Sequence, residues 1–315
     1  MSATLGAAAA RRPPFLRRDV RALFLALQEQ AEAGCLAVVT HAEGSTYSKP
    51  GALMLFGPGG RQAGLLSGGC LEGDLAERAA NVMATGMAAS VTYDARDVEQ
   101  DALFGLAFGC EGLLRIHLLP IGGGRGYAPL DRLVDDEAAG NRTTWSLVVD
   151  GRELLLRYAP PPRLLVLGAG AEAPAVAAGA LALGWHVTVL DHRPAWAAPH
   201  RFAPGTDVRV VDPRPPAAPT GVLDRERSDA VVVMAHHLEV DGAWLAQLAA
   251  TPVRWVGLLG PAARRGRLLA SLGSMAPALA GRIQGPVGLP IGARTPEEIA
   301  LSILAAAQQA VSAQD

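Results

Sequence analysis

The side chains able to do chemistry gather in four glycine-rich loops. Ser67-Gly68-Gly69-Cys70-Leu71-Glu72 joins a predicted strand to a predicted helix, which sets Cys70 in the first turn of that helix. A helix dipole and free amides there would favour the thiolate, the form that binds metal or attacks an electrophile. Phe108-Gly109-Cys110-Glu111-Gly112 places a second cysteine between glycines just before another strand. Each cysteine could equally be a small buried residue at a tight turn. The 39 residues between them match no zinc signature. Gly44-Ser45-Thr46-Tyr47-Ser48-Lys49-Pro50-Gly51 collects hydroxyls, glycines and the only lysine of the sequence. It suits a phosphate held by hydroxyl and backbone donors, or an ordinary strand connection.

The fourth loop is Gly168-Ala169-Gly170-Ala171-Glu172-Ala173. It follows the apolar run 163–167 and opens an apolar helical stretch to Leu183. Gly168 permits a tight turn, Gly170 lets the backbone approach a pyrophosphate, and Ala173 stands where a third glycine lets helix and strand pack closely. The helix start offers amides to an anion. A second strand over 186–190 ends at Asp191, 23 residues after Gly168 and placed to accept hydrogen bonds from an adenosine ribose. Arg193 could meet a 2′-phosphate, so NAD and NADP both stay open. The alternative is a doubly wound domain whose glycine turn is only structural. His236 follows a compact apolar run at 230–234, as a proton carrier, a ligand contact or an exposed loop histidine. Arg264, Arg265 and Arg267, after a further run at 255–259, form a solvated helix face or a phosphate clamp.

These loops need elements to hold them. Val20, Leu23, Phe24 and Leu27 recur at helical spacing over 17–33, with Gly34 as the stop signal. Short apolar runs at 35–40, 52–56, 62–66, 90–93 and 113–119 read as strands, and 71–85 as a helix. Residues 17–122 therefore form a small mixed α/β domain. A connecting segment over 123–162 holds a hairpin turning at Asp150-Gly151 and ends in Pro160-Pro161-Pro162. Residues 163–315 form a Rossmann-type doubly wound domain, closed by a helix that Thr295-Pro296-Glu297-Glu298 starts as a capping box. The fold class is α/β in both halves.

With 28 Lys+Arg against 30 Asp+Glu, the formal charge of -2 leaves no basic footprint for nucleic acid. Arginine replaces lysine almost throughout, which reads as codon bias. The stretch 173–185 is too short for a membrane span and contains Pro174 and Gly179. The first sixteen residues run apolar then charged, the reverse of a signal peptide, and read as a disordered leader. A cytoplasmic protein follows, whose three cysteines stay thiols, with Cys35 in the core. A homodimer is the default assembly.

Seven segments in order together resemble the XdhC/CoxI family: GSTYSKPGALML from Gly44, LLSGGCLEGDL from Leu65, FGLAFGCEG from Phe104, LLVLGAGAEA from Leu164, LGWHVTVLDHRPAW from Leu183, VVMAHHLEVD from Val232 and GPVGLPIGARTPEEIA from Gly285. The resemblance spans 25–306 and implies an accessory protein, chaperone-like and non-catalytic, that binds molybdenum cofactor (molybdopterin). Its cargo would go to an apo-molybdenum hydroxylase such as xanthine dehydrogenase or carbon monoxide dehydrogenase, with a cysteine desulfurase supplying sulfur. Cys70 and Cys110 would then meet the metal, while Ser45, Lys49, Ser67, Gly68 and Gly69 hold the pterin. Gly168, Gly170, Ala171, Ala173, Asp191, Arg193 and His236 would line the nucleotide side. The chain departs from the family's usual pair of basic residues at Ser48 and Lys49 and from a further basic position at Leu53. Glu111 stands where glycine is frequent and would tend to raise the Cys110 thiol pKa. Two other functions remain open: an NAD(P)-dependent oxidoreductase, for which no catalytic dyad is visible, and a nucleotide-sensing partner of a hydroxylase.

Overall fold

The structure, a computed structural model, describes residues 12–96, 112–214, 223 and 227–313. It divides into two compact units, Pro13–Pro160 and Pro161–Asp315, the second joined by Arg12.

The first unit is built on one antiparallel sheet. Its strands are β1 (Gly34–Gly44), β2 (Leu53–Phe56), β3 (Gln62–Gly64), β4 (Ala89–Asp94) and β5 (Gly112–Ile121), in the order β3-β2-β1-β5-β4. β1 is apolar at successive positions because both sheet faces are covered. Leu36 and Val38 point to one core, with Val20, Phe24 and Leu27 of helix α1 (Arg18–Glu29) and Leu130 and Leu133 of α3 (Leu130–Ala139). Cys35, Ala37 and Val39 point to the other, with Leu75, Ala79 and Val82 of α2 (Glu72–Thr85). At Thr40 the β1–β5 register shifts, and the Thr40 hydroxyl donates to the Arg115 carbonyl at 3.1 Å. Such a bulge re-aims the strand, and β1 continues past it to deliver the Ser45–Lys49 loop.

The hairpin β6 (Thr143–Val149) and β7 (Arg152–Tyr158) turns at Asp150-Gly151, both at positive φ (52° and 75°), the geometry of a type I′ turn. It is part of the first unit and not a connector. Leu147, Val149, Leu156 and Tyr158 enter the core on the α1 face. The Tyr158 hydroxyl, buried, donates to the Gly51 carbonyl at 2.9 Å and so ties the hairpin to the hydroxyl-rich loop. The expected leader also changes character before residue 16. Leu16 lies in the first unit's core, and Arg12 pairs with Asp229 at 2.9 Å in the second unit. Residues 1–11 lie outside the described part of the chain.

The second unit contains β8 (Arg163–Leu167), α4 (Ala173–Ala182), β9 (His186–Asp191), β10 (Thr206–Val210), β11 (Ala230–Val233) and α5 (Leu238–Ala249). It continues through β12 (Val256–Leu258), α6 (Ala262–Ser271), α7 (Ala276–Leu279), β13 (Ile283–Gln284) and α8 (Pro296–Ser312). All six strands are parallel, in the order β10-β9-β8-β11-β12-β13. Renumbered within the unit this is 3-2-1-4-5-6, the doubly wound Rossmann order, with its switch point between β8 and β11. β10 is an edge strand with exposed alternate residues, and β13 has two residues; neither carries an apolar run that periodicity detects. α5 covers one face, with Trp244 and Leu248 against Val231 and Val233. α4 and α8 cross on the other, where a Cβ on Gly179 would collide with Leu304. The Thr295 and Glu298 capping box forms as expected. Among the described residues no helix is long and apolar enough to cross a membrane.

The Tyr158 bond tests how far the hairpin belongs to the first unit. Tyr158→Phe keeps the ring but leaves a buried carbonyl without its donor, and should cost about 1–2 kcal/mol. A urea denaturation curve indistinguishable from wild type would show that the tie contributes nothing.

Candidate functional site

The first site is the mouth formed where the hydroxyl-rich loop meets the thiol loop. Ser45, Thr46, Tyr47, Ser67, Cys70 and Tyr93 line one pocket, with the Cys70 side chain exposed. Gly112, first residue of β5, lets the hydroxyl-rich loop close against that strand: a Cβ at that position would sit 2.5 Å from the Ser45 carbonyl oxygen. Thr46 donates to the Ser48 carbonyl at 2.8 Å, and Lys49 Nζ donates to Thr46 Oγ1 at 3.0 Å. Lys49 makes no ion pair among the described residues, so an exposed cation stands beside a pocket-lining residue.

The thiol loop is organised differently from the expectation of a cysteine on free helix amides. α2 begins at Glu72, two residues after Cys70, and the buried Glu72 carboxylate turns back into the loop. Oε1 accepts from the amides of Leu66 (3.1 Å) and Ser67 (2.9 Å). Oε2 accepts from Ser67 Oγ (2.5 Å) and the amides of Gly69 (3.0 Å) and Leu71 (3.2 Å). Gly68 and Gly69, both at positive φ, make the reversal that aims these donors at one point. Burial alone would raise the Glu72 pKa, but the Ser67 hydroxyl and the loop amides hold it below the usual carboxylate range. The loop's amides thus serve an internal anion. The hold of Glu72 on the amides of Leu66, Ser67, Gly69 and Leu71 fixes the loop that carries the thiol.

Behind the pocket, the buried Tyr93 hydroxyl donates a short hydrogen bond to Asp74, which also accepts from Arg78 Nε at 2.6 Å. Burial and the Asp74 charge push Tyr93 far up, so it stays protonated. Cys35 is enclosed on the α2 side of the sheet, and burial pushes its thiol up to about 12. Cys110 and Glu111 lie outside the described residues, among which no group of three His, Cys, Asp or Glu side chains is arranged around a metal position.

The second site is the crevice of the Rossmann unit. Gly168 has φ +116°, and a Cβ there would collide with the backbone of Ala235 and Met234, so the β8 and β11 loops touch main chain to main chain. Gly170 lies under the His236 ring, and His236 Nε2 stands 3.3 Å from Glu172 Oε2. His236 holds φ +60°, an unusual backbone for a non-glycine residue. Ala171 is exposed, and Ala173, buried, starts α4 against the strand as the third-glycine position requires.

Asp191 is engaged within the protein. Its carboxylate accepts from the Ala169 amide at 2.7 Å and from the Arg193 amide, Nε and Nη2 at 2.8, 2.9 and 2.7 Å. Burial would raise its pKa, yet Arg193 and the two amides hold it below the ordinary value. Arg264, weighed between a solvated face and a phosphate clamp, does neither. Its Nη2 donates to the fully buried Asp241 at 2.5 Å, and Asp241 in turn accepts from the Ala235 amide at 3.0 Å.

Sequence reasoning missed Glu72, Tyr93, Glu172, Asp241, Trp196 and Arg201. Glu72 is the one with a local signal, an acid in the first helical turn directly after a glycine loop. The others are joined by contacts 19 to 64 positions apart or by stacking, which no spacing rule encodes.

Two measurements check this geometry. Native-state alkylation followed by peptide mass spectrometry should label Cys70 and spare Cys35; labelling of Cys35 at a similar rate would contradict the buried placement. Glu72→Gln should cost about 2 kcal/mol at neutral pH. Because the folded-state pKa is depressed, the Glu72 contribution is fully present above about 4.3 and lost as pH falls through the folded value. Urea midpoints of wild type and variant should therefore converge in acid; a gap independent of pH would show that the carboxylate charge is not what holds the loop.

Comparison with known proteins covers both sites. A family model described as the XdhC and CoxI family matches residues 27–94, and one described as the XdhC Rossmann domain matches 164–306. A probable xanthine dehydrogenase subunit of Bacillus subtilis is 31% identical over 322 residues, covering 89% of this chain and 94% of that protein. The uncharacterized protein YqeB of Escherichia coli is 32% identical over 146 residues, 46% of this chain and 26% of its own length. A crystal structure described as a xanthine dehydrogenase from Bacillus halodurans matches with a TM-score of 0.78 and 28% identity, over 93% of this chain and 96% of that one. Similarity of that extent, running through the thiol loop and the glycine turn alike, makes this chain a member of the XdhC and CoxI family.

Proposed function

We propose that this chain is an accessory protein of a xanthine dehydrogenase system, and that it carries molybdenum cofactor as cargo to the apo-form of a molybdenum hydroxylase. The link to a xanthine dehydrogenase system draws on the names its relatives bear, and the accessory reading on its membership of the family. The cargo role rests on one observation: an exposed thiol, Cys70, lines a pocket together with Ser45, Thr46, Tyr47, Ser67 and Tyr93. Molybdenum is thiophilic, and a single thiolate supplies a ligand that can be exchanged, as delivery requires. Lys49, next to Thr46, supplies the positive charge that a pterin phosphate needs. The Rossmann crevice is read as a nucleotide site, supported by its strand order and by the start of α4 behind Gly168 and Gly170.

The cargo reading is tested by incubating the purified chain with molybdopterin, removing free pterin by gel filtration, and assaying what remains by fluorescence after oxidation. Wild type should retain pterin near one per chain, and Cys70→Ala should retain at least about tenfold less at equal thermal stability, a loss of roughly 1.4 kcal/mol or more in binding. No retention by wild type, or equal retention by the variant, would remove the assignment.

A further inference from the structure

The corner of the Rossmann crevice beyond β9 has a charge balance unlike the one its sequence pattern suggests. An ionised carboxylate offers about four lone-pair positions. Asp191 fills them with four donors: the Ala169 amide and the amide, Nε and Nη2 of Arg193. Its side chain has no solvent exposure. A ribose hydroxyl arriving there finds no free acceptor and meets the guanidinium that seals the acid.

The surrounding groups are cationic. Arg193 and Arg201 both lie over the Trp196 ring, at 4.7 and 4.6 Å from its centroid, and the ring is 38% exposed. Arg201 Nη1 donates to the carbonyls of Ala169 (2.9 Å) and Trp196 (2.6 Å). Arg201 forms no ion pair among the described residues, so its charge is uncompensated. His192 Nδ1, buried and without a hydrogen-bond partner among the described residues, lies 3.4 Å from Asp191 Oδ1. Asp212, just after β10, is paired with Arg214 at 2.6 Å and adds no net charge, and Glu172 on the glycine loop faces His236 at 3.3 Å. Arg193 and Asp191 cancel each other, which leaves Arg201 in excess and the outer N–H groups of both guanidiniums unused.

We infer that this corner selects a dinucleotide whose adenosine ribose carries a 2′-phosphate, with Arg193 and Arg201 as the phosphate-binding residues and Trp196 as the platform that holds both guanidiniums in place. The inference rests on the nucleotide reading of the crevice and adds its specificity. A dianionic phosphate accepts the unused N–H groups in charge-assisted bonds. A bare 2′-hydroxyl, by contrast, needs an acceptor that Asp191 no longer supplies.

Isothermal titration of the full chain with NADP+, NAD+, coenzyme A, 2′-AMP and 5′-AMP tests it. NADP+ should bind at least about tenfold more tightly than NAD+. 2′-AMP should compete with NADP+ where 5′-AMP does not. Arg201→Gln should narrow the NADP+ to NAD+ ratio while leaving NAD+ binding in place, and the wild-type ratio stands as evidence even if that variant folds poorly. NAD+ binding as tightly as NADP+ would overturn the inference and leave the nucleotide reading standing. Coenzyme A binding more tightly than NADP+ would move the phosphate to the 3′ position and also overturn it. Absence of binding by every nucleotide would remove both.

Discussion

A buried carboxylate that accepts backbone amides is the interaction that holds three loops of this protein, the thiol loop, the glycine turn and the loop after β11. Glu72 gathers the amides of Leu66, Ser67, Gly69 and Leu71; Asp191 takes that of Ala169; Asp241 takes that of Ala235. Loops at the mouth of a site have few neighbours to pack against, and their amides must be satisfied somewhere. One acid side chain converts several such donors into a single fixed geometry. The arrangement is asymmetric in energy: it adds modestly while intact, and removing the acid leaves several orphaned donors at once.

The three acids differ in how their charge is balanced. Among the described residues Glu72 pairs with no cation, and hydrogen bonds hold its pKa below the usual carboxylate range. Asp191 adds the Arg193 fork and is also held low. Asp241 lies deepest, and burial raises its pKa in spite of Arg264. In the Rossmann unit Asp191 and Asp241 face inward, toward main chain and arginine. Outward, the crevice presents His236, Ala171 and the Arg193, Trp196 and Arg201 group. The fold keeps the strand order and glycine turn of a Rossmann unit while Asp191 is engaged by Ala169 and Arg193.

In the first unit, the same economy places one reactive group with little around it that competes. The Cys70 thiol is carried by a loop four of whose amides are bound to Glu72, and the neighbouring hydroxyls of Thr46 and Tyr93 are themselves oriented, by Ser48 and Asp74. The hairpin contributes from a distance: Tyr158 holds Gly51, at the end of the loop that carries Ser45 to Lys49. That the hairpin belongs to this core could not be read from its sequence. Its alternating strands show that one face is buried, but not against what.

The fold was largely legible. Period-two and helical patterns located the strands of the first sheet and the glycine turn with its following helix, because those signals are local and each element buries a face. The edge strand β10 and the two-residue β13 escaped, since they bury too little to leave a pattern. The sequence by itself determined the glycine positions that main-chain contact demands, Gly168 against Ala235 foremost, the capping box at Thr295, and which side chains could do chemistry. Only the tertiary structure decided what those side chains are free to do. Availability depends on which donors have already reached each acceptor, and the Arg264 donor to Asp241 and the Ala169 donor to Asp191 come from segments distant in the chain and adjacent only after folding.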